Sequence, residues 1–242
     1  MKIVSIVKYR LHRFFYSSRP VIPLIVTMCF LGSMYSIRPM NIGSGYVLSG
    51  VFQFILMTFL TLSINGTEDI TEEQLVLFHG NTWSSYCVAR EITLLLISCV
   101  YSLLLTLYPI IINCCNGFSF FTRALTAYDV SMGAIILLGS SLAGIAIGDL
   151  FHPRIMSNRK LSIAIAVGVM LCSIAKDAMI AKSRFLAPLN VLLPSVMKPA
   201  GDLGNGDYFT FSSIISFLFQ MILYYCIIAA IKNIILYQKK FS

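Results

Sequence analysis

The sequence predicts an all-α polytopic membrane protein, and composition and the spacing of apolar runs carry that prediction. Of 242 residues, 57% are hydrophobic and 12% charged, with a mean hydropathy of +0.83; a soluble domain carries roughly 25% charged residues. Six runs reach or approach the ~20 apolar residues that a helix needs to cross the hydrocarbon core: about 21–35, 45–64, 92–112, 128–147, 161–175 and 209–235. No stretch is left for a soluble domain, so residues 1–242 are expected to form a single transmembrane domain.

Residues 1–19, "MKIVSIVKYRLHRFFYSSR", place Ile3, Val7, Leu11, Phe14 and Phe15 on one helical stripe among Lys2, Arg10, Arg13 and Arg19. Such a basic amphipathic helix suits an interface with anionic headgroups. The first apolar run ends in "GSMYSIRPM" without a clear cleavage signal, so the N-terminus is expected to be retained. The first and fifth spans are short and must thin the bilayer or extend through polar flanks.

Between spans two and three, residues 65–91 hold Glu68, Asp69, Glu72, Glu73 and Glu91, half of the ten acidic residues in a chain of net charge +8. Thr71 to Gln74 has the form of a capping box, and Gly80 provides a stop, which predicts a short helix over about 72–79. Its acids sit at the positive end of the helix dipole. Anionic lipid would repel them, so a protein partner with a basic rim is the expected neighbour.

In the fourth span, Ser140, Gly144 and Gly148 recur at four-residue spacing, as do Ala164 and Gly168 in the fifth. Small residues at this spacing let helices approach closely, here the fourth span against the fifth or against a partner. Residues 181–208 begin with "RFLAPLNVLLPSVMKP", apolar and broken by three prolines, which predicts a short outer re-entrant helical hairpin between spans five and six.

Orientation follows from the basic residues. With both termini inside, Lys2, Lys8, Arg10, Arg13, Arg19, Arg90, Arg154, Arg159, Lys160, Lys232, Lys239 and Lys240 are cytoplasmic, twelve of the 18. An N-in, C-in arrangement of six spans is therefore expected, with the acidic connection in the cytoplasm. Asp129, Asp149, Lys176 and Asp177 fall near expected span ends, which argues against an ion-coupled pump. The seven cysteines lack metal-ligand spacing and are expected to be buried, reduced thiols; the role of Cys114 and Cys115, adjacent near a span edge, stays open.

Catalytic patterns are missing from the sequence. It contains no GxxxxGK[ST], HExxH or GxSxG, and His12, His79 and His152 are scattered. Glu72 and Glu73 open an EExxxR-like pattern of a membrane protease, but Leu77 stands where the arginine would be. No enzyme activity, metal site or nucleic-acid partner is expected.

The layout resembles the membrane subunit of an ABC-2 type exporter, through the basic N-terminal helix, the six spans, the loop "EEQLVLFHGNTWSSYCVARE" and the outer hairpin. The resemblance implies that Glu72, Glu73, Gln74, Leu75, Leu77 and Phe78 form a coupling helix docked on a separate ATPase subunit. It implies a smaller second cytoplasmic contact through His152 and Arg154. ATP and Mg would belong to that partner, with no cofactor bound by this chain. Pairing with a second copy or a related permease, and residence in a bacterial cytoplasmic membrane, follow from the same resemblance. The expected cargo is hydrophobic or amphipathic, such as an antimicrobial peptide or a drug, in bacteriocin production or immunity. An ATP-independent immunity or regulatory protein that sequesters a toxin is the alternative.

Overall fold

The computed structural model describes residues 2–66, 74, 82–156, 158–182, 192–203 and 207–238. The described elements are helical: α1 (Lys2–Tyr16), α2 (Val21–Met34), α3 (Ile42–Asn65), α4 (Trp83–Cys115), α5 (Ala127–Leu150), α6 (Arg159–Lys182), the single turn α7 (Lys198–Gly201) and α8 (Phe211–Gln238). Five of them, α3, α4, α5, α6 and α8, are long and apolar enough to cross a membrane; a sixth span is reached if α1 and α2, bent by 69° at residues 17–20, count as one. The chain thus has the build of a multi-pass membrane protein.

α3, α4, α5 and α6 begin and end farther out than their apolar runs suggest, and α8 ends farther out, because polar termini continue the backbone ladder. α2 keeps its 14 residues, about 21 Å at 1.5 Å per residue, short of the ~30 Å hydrocarbon core. By contrast α4 runs for 33 residues, about 50 Å at 1.5 Å per residue, because the Thr82 side chain caps it and starts the helix nine residues before the apolar run begins. α5 opens on a reciprocal capping box between Thr126 and Asp129.

α5 is the centre of the bundle. It packs on α3, α8 and α4, whereas α6 touches α3 and α5 lightly and α1 lies along α4. Accordingly 67% of the apolar window of α5 is buried, against 22% for α6 and 17% for α8. The apolar stripe of α1 is largely covered by protein: Ile6 and Val7 pack on Ala89 of α4, and Phe14 joins Leu56, Ile97 and Tyr101, while Phe15 points outward.

The close approach of α5 to α3 rests on small residues. A Cβ on Gly144 would lie 2.5 Å from the Phe54 carbonyl oxygen, and one on Gly148 would lie 2.8 Å from the Thr58 carbonyl oxygen. Ser140 sits on the same stripe, its Oγ facing Gly50. The expected neighbour of this stripe was the fifth span or a partner; the observed one is the second span, because α5 turns its smallest face to α3. Gly168 on α6 faces open space, so the second small-residue spacing makes no such contact.

At the end of the bundle opposite α1, three connections are clasped together. Arg123 donates two hydrogen bonds of 2.6 Å to the Asp129 carboxylate and one of 3.0 Å to the Asp207 carbonyl oxygen. Those bonds to Asp129 hold the Arg123 guanidinium above its usual pKa. The Asp207 carboxylate in turn accepts from Gly43 N and Ser44 N at the start of α3, where the helix dipole favours a negative charge. Residues 183–191 and 204–206 of the expected outer hairpin lie outside the described residues. Of the rest, Leu193, Val196 and Pro199 are buried, and Lys176 of α6, counted as an outer flank residue from the sequence, is buried and donates to the Leu193 carbonyl at 2.9 Å and to Ser195 Oγ. A lysine within a span is tolerated when, as here, its ammonium meets backbone and hydroxyl oxygens.

The cysteines depart from expectation. All seven are free and Cys87 alone is buried; the others stand on outward faces of helices, where an apolar thiol meets lipid as readily as protein.

Candidate functional site: a buried charge cluster at the α1 end

The ends of four helices meet near α1, and each brings a polar side chain inward. Asp149 lies one residue from the end of α5 and is 1% exposed. Its Oδ1 accepts from Arg90 Nη2 of α4 at 3.0 Å and from Asn65 Nδ2 of α3 at 2.9 Å. Its Oδ2 accepts from Lys232 Nζ of α8 at 2.6 Å. Lys232, also 1% exposed, donates as well to Glu91 Oε1, and Glu91 Oε2 accepts from the Tyr225 hydroxyl at 2.6 Å.

Two cations and two carboxylates make this set formally neutral. Neutrality is the condition for burial: an isolated charge would meet a desolvation penalty of several kcal/mol, and mutual attraction offsets it only when the remaining polar atoms are satisfied. Satisfaction here is incomplete. Arg90 Nε, Asn65 Oδ1 and His152 Nε2 are buried without a hydrogen-bond partner among the described residues. The arrangement therefore keeps spare donors and an acceptor for a second pairing, each at a cost of about 1–3 kcal/mol while unused.

His152 follows α5 and is turned inward, 5% exposed. Its Nδ1 accepts from Arg154 N at 3.2 Å, which leaves the proton of the neutral ring on Nε2. Burial first, and the Arg90 charge second, push its pKa down to about 2, so the ring is neutral beside the cluster. Arg154 is half-buried.

Set against the sequence expectations, Glu72, Glu73, Leu75, Leu77 and Phe78 lie outside the described residues; Gln74 is helical and exposed. His152 and Arg154 are near each other, with the imidazole buried. Ser140, Gly144 and Gly148 line the α3–α5 contact, a stripe that ends beside Asp149. Arg90 and Lys232, assigned to cytoplasmic flanks by counting, and Asp149, assigned to a span end, are buried inside helices. The correction has a physical cause: α4 and α5 extend beyond their apolar runs, so Arg90 and Asp149 at the edges of those runs fall within the bundle, where Lys232, inside the last run, pairs with Asp149. The signal was present in the lone lysine of "IIAAIKNIILY" and the lone aspartate of "GIAIGDLF", since a charge isolated in an apolar run needs a partner from another run.

The cluster contains no activated nucleophile, and among the described residues no group of three or more metal-ligating side chains occurs. What it can do is hold four helix ends in one register and release them when a charge is displaced. No model of a known protein family matches the chain, and no curated protein matches it either.

Proposed function

We propose that the chain is the membrane-spanning permease subunit of an ABC-2 type exporter, driven by a separate ATPase subunit that holds the ATP and Mg. In this reading both termini are cytoplasmic, the acidic connection is the coupling element, and the cargo is a hydrophobic or amphipathic molecule such as an antimicrobial peptide. The single observation that carries it is where the acidic connection begins and ends. Asn65, the last residue of α3, and Arg90 and Glu91, two turns into α4, bracket that connection, and all three enter the cluster with Asp149 and Lys232. A partner pressing on residues 66–82 would pull on both ends, and the cluster would pass the displacement to α5 and α8.

Such an element is bistable rather than elastic, since ion pairs either hold or re-pair. ATP-driven closure of the partner would bias one pairing over the other through its differential free energy. The outward faces of α2 and α8, rich in exposed residues such as Ile22, Ile25, Phe219 and Ile234, leave room for lipid and for a second permease copy.

Affinity purification from the native membrane tests this. Wild type is expected to bring down an ATPase in stoichiometric amount, Glu73→Lys with Leu77→Asp to lose it, and Asp149→Asn to keep it while losing stimulated ATP turnover. Wild type without an ATPase would remove the exporter reading and favour a solitary immunity protein.

A further inference from the structure

Of the described helices, α2 alone packs closely on no other. Its 14 residues bury Thr27 and Leu31, and Phe30 stacks on Phe52 of α3 with ring centroids 4.0 Å apart and ring planes 2° apart. On either side of that stack α2 and α3 part. Towards the bend lies a chamber of about 500 Å³, walled by Ile22 and Val26 of α2 and by Ile55 and Phe59 of α3. Towards the other end lies a second space of about 560 Å³ beside Met34 and Leu48. Phe52 lines the first and Phe30 the second, so the stacked pair is the partition between them. Leu48, Phe52, Ile55 and Phe59 recur at helical spacing, which puts both spaces on one seam.

The chamber opens sideways, with Ile22 69% and Val26 45% exposed, on a face that in a membrane meets lipid tails. Its polar walls, Ser18, Arg19 and Ser63, stand at the bend, and the walls beyond them are apolar. A largely apolar cavity of this size, with a few polar groups at one end, is of the kind that takes a small ligand. The volume suits one aliphatic chain and not the two of a phospholipid. Because lipid tails are as apolar as leucine, such a chain gains little by leaving them except through close packing, so it stays exchangeable. Exchange from the lipid phase suits a passing molecule better than a resident one.

We propose that this chamber is the entry site for the lipophilic part of the cargo, taken sideways from the lipid between α2 and α3 with its polar end left at the bend. Phe30 and Phe52 close the chamber towards the second space, and parting of the two rings joins the compartments. The role in transport rests on the exporter reading, whereas the binding of an uncharged aliphatic chain does not.

The test uses the full chain in phosphatidylcholine vesicles with hexadecanol that carries a photoreactive diazirine, the adducts being mapped by mass spectrometry. Adducts at Ile22, Val26, Ile55 and Phe59 are expected to exceed those at Ile165 and Leu171, on the exposed face of α6, by about tenfold, and unlabelled hexadecanol should displace them. Ile55→Trp, which fills the chamber, should bring the seam down to the level of α6. Val26→Trp should do the same from a half-exposed position of α2, where the larger side chain does not endanger folding. Phe30→Ala, which opens the partition, should raise the adducts at Met34 and Leu48. Equal labelling of the seam and α6, seam adducts that survive both tryptophan variants, or no change at Met34 and Leu48 in Phe30→Ala would each overturn the proposal. So would a phospholipid that copurifies at about one per chain and is lost in both tryptophan variants, since the chamber would then hold a resident lipid. Displaceable seam labelling in a protein that brings down no ATPase would keep the chain site and remove the exporter reading alone.

Discussion

Asp149 is the residue on which most depends, because three donors from three helices converge on its two oxygens. Asp149→Asn leaves Arg90 and Lys232 buried against one carboxylate, and breaking a buried pair in this way costs about 3–5 kcal/mol. We expect a large drop in the thermal midpoint in detergent. Lys232→Met added to Asp149→Asn restores neutrality and should recover part of the loss; a double variant no better than the single one would contradict the charge-balance account. His152 provides a pH test with a defined sign. Its pKa in the fold is lowered to about 2, whereas the unfolded ring protonates near the usual value of about 6.5. Below that value the unfolded state takes up a proton that the fold refuses, so stability falls as pH drops, by up to about 1.4 kcal/mol per pH unit. His152→Gln should flatten the stability profile between neutral and mildly acid pH, and equal slopes in both proteins would count against a buried neutral ring. At this scale the sequence was least legible. The charges were visible, but their pairing depends on which helix ends meet, and that is a property of the packed bundle.

Helices as elements were read well where apolar length decides the outcome and poorly where packing does. Five of the six apolar runs fall on helices long and apolar enough to cross a membrane, whereas the run at 21–35 forms the 14-residue α2, which reaches that length only together with α1. The ends of the spans were missed by up to nine residues at α4, where the Thr82 cap and not hydropathy sets the boundary. The small-residue stripe Ser140, Gly144 and Gly148 was visible too, but spacing alone does not name the facing helix. The glycines now separate sharply in expected effect. Gly144→Ala drives a methyl group into the Phe54 backbone and should destabilise the protein by about 1–3 kcal/mol. Gly168→Ala meets nothing within 4 Å and should stabilise α6 by up to about 1 kcal/mol through helix propensity. Thermal unfolding of the two single variants side by side, with no difference between them, would show that α3 and α5 are not in close contact.

Across the whole molecule, ionic clasps stand at both ends of the bundle, Arg123–Asp129–Asp207 at one and Arg90–Asp149–Lys232 at the other. With the bent α1–α2 pair counted as one span the number of spans is six, and an even number puts both termini on one face. In a cysteine-free background, a cysteine at Phe118 should react with a membrane-impermeant thiol reagent in intact cells, and one at Lys160 should react after the membrane is opened. The opposite pattern would invert the N-in, C-in reading. The buried cluster also bears on biogenesis. Synthesis delivers Arg90 and Asp149 to the membrane well before Lys232, which lies 83 residues after Asp149 in the chain. Until α8 arrives, Glu91 and Asp149 share a single cation from the cluster, so the nascent bundle carries a net negative charge in its interior. Arrival of the last helix supplies the second cation and completes neutralisation of the cluster.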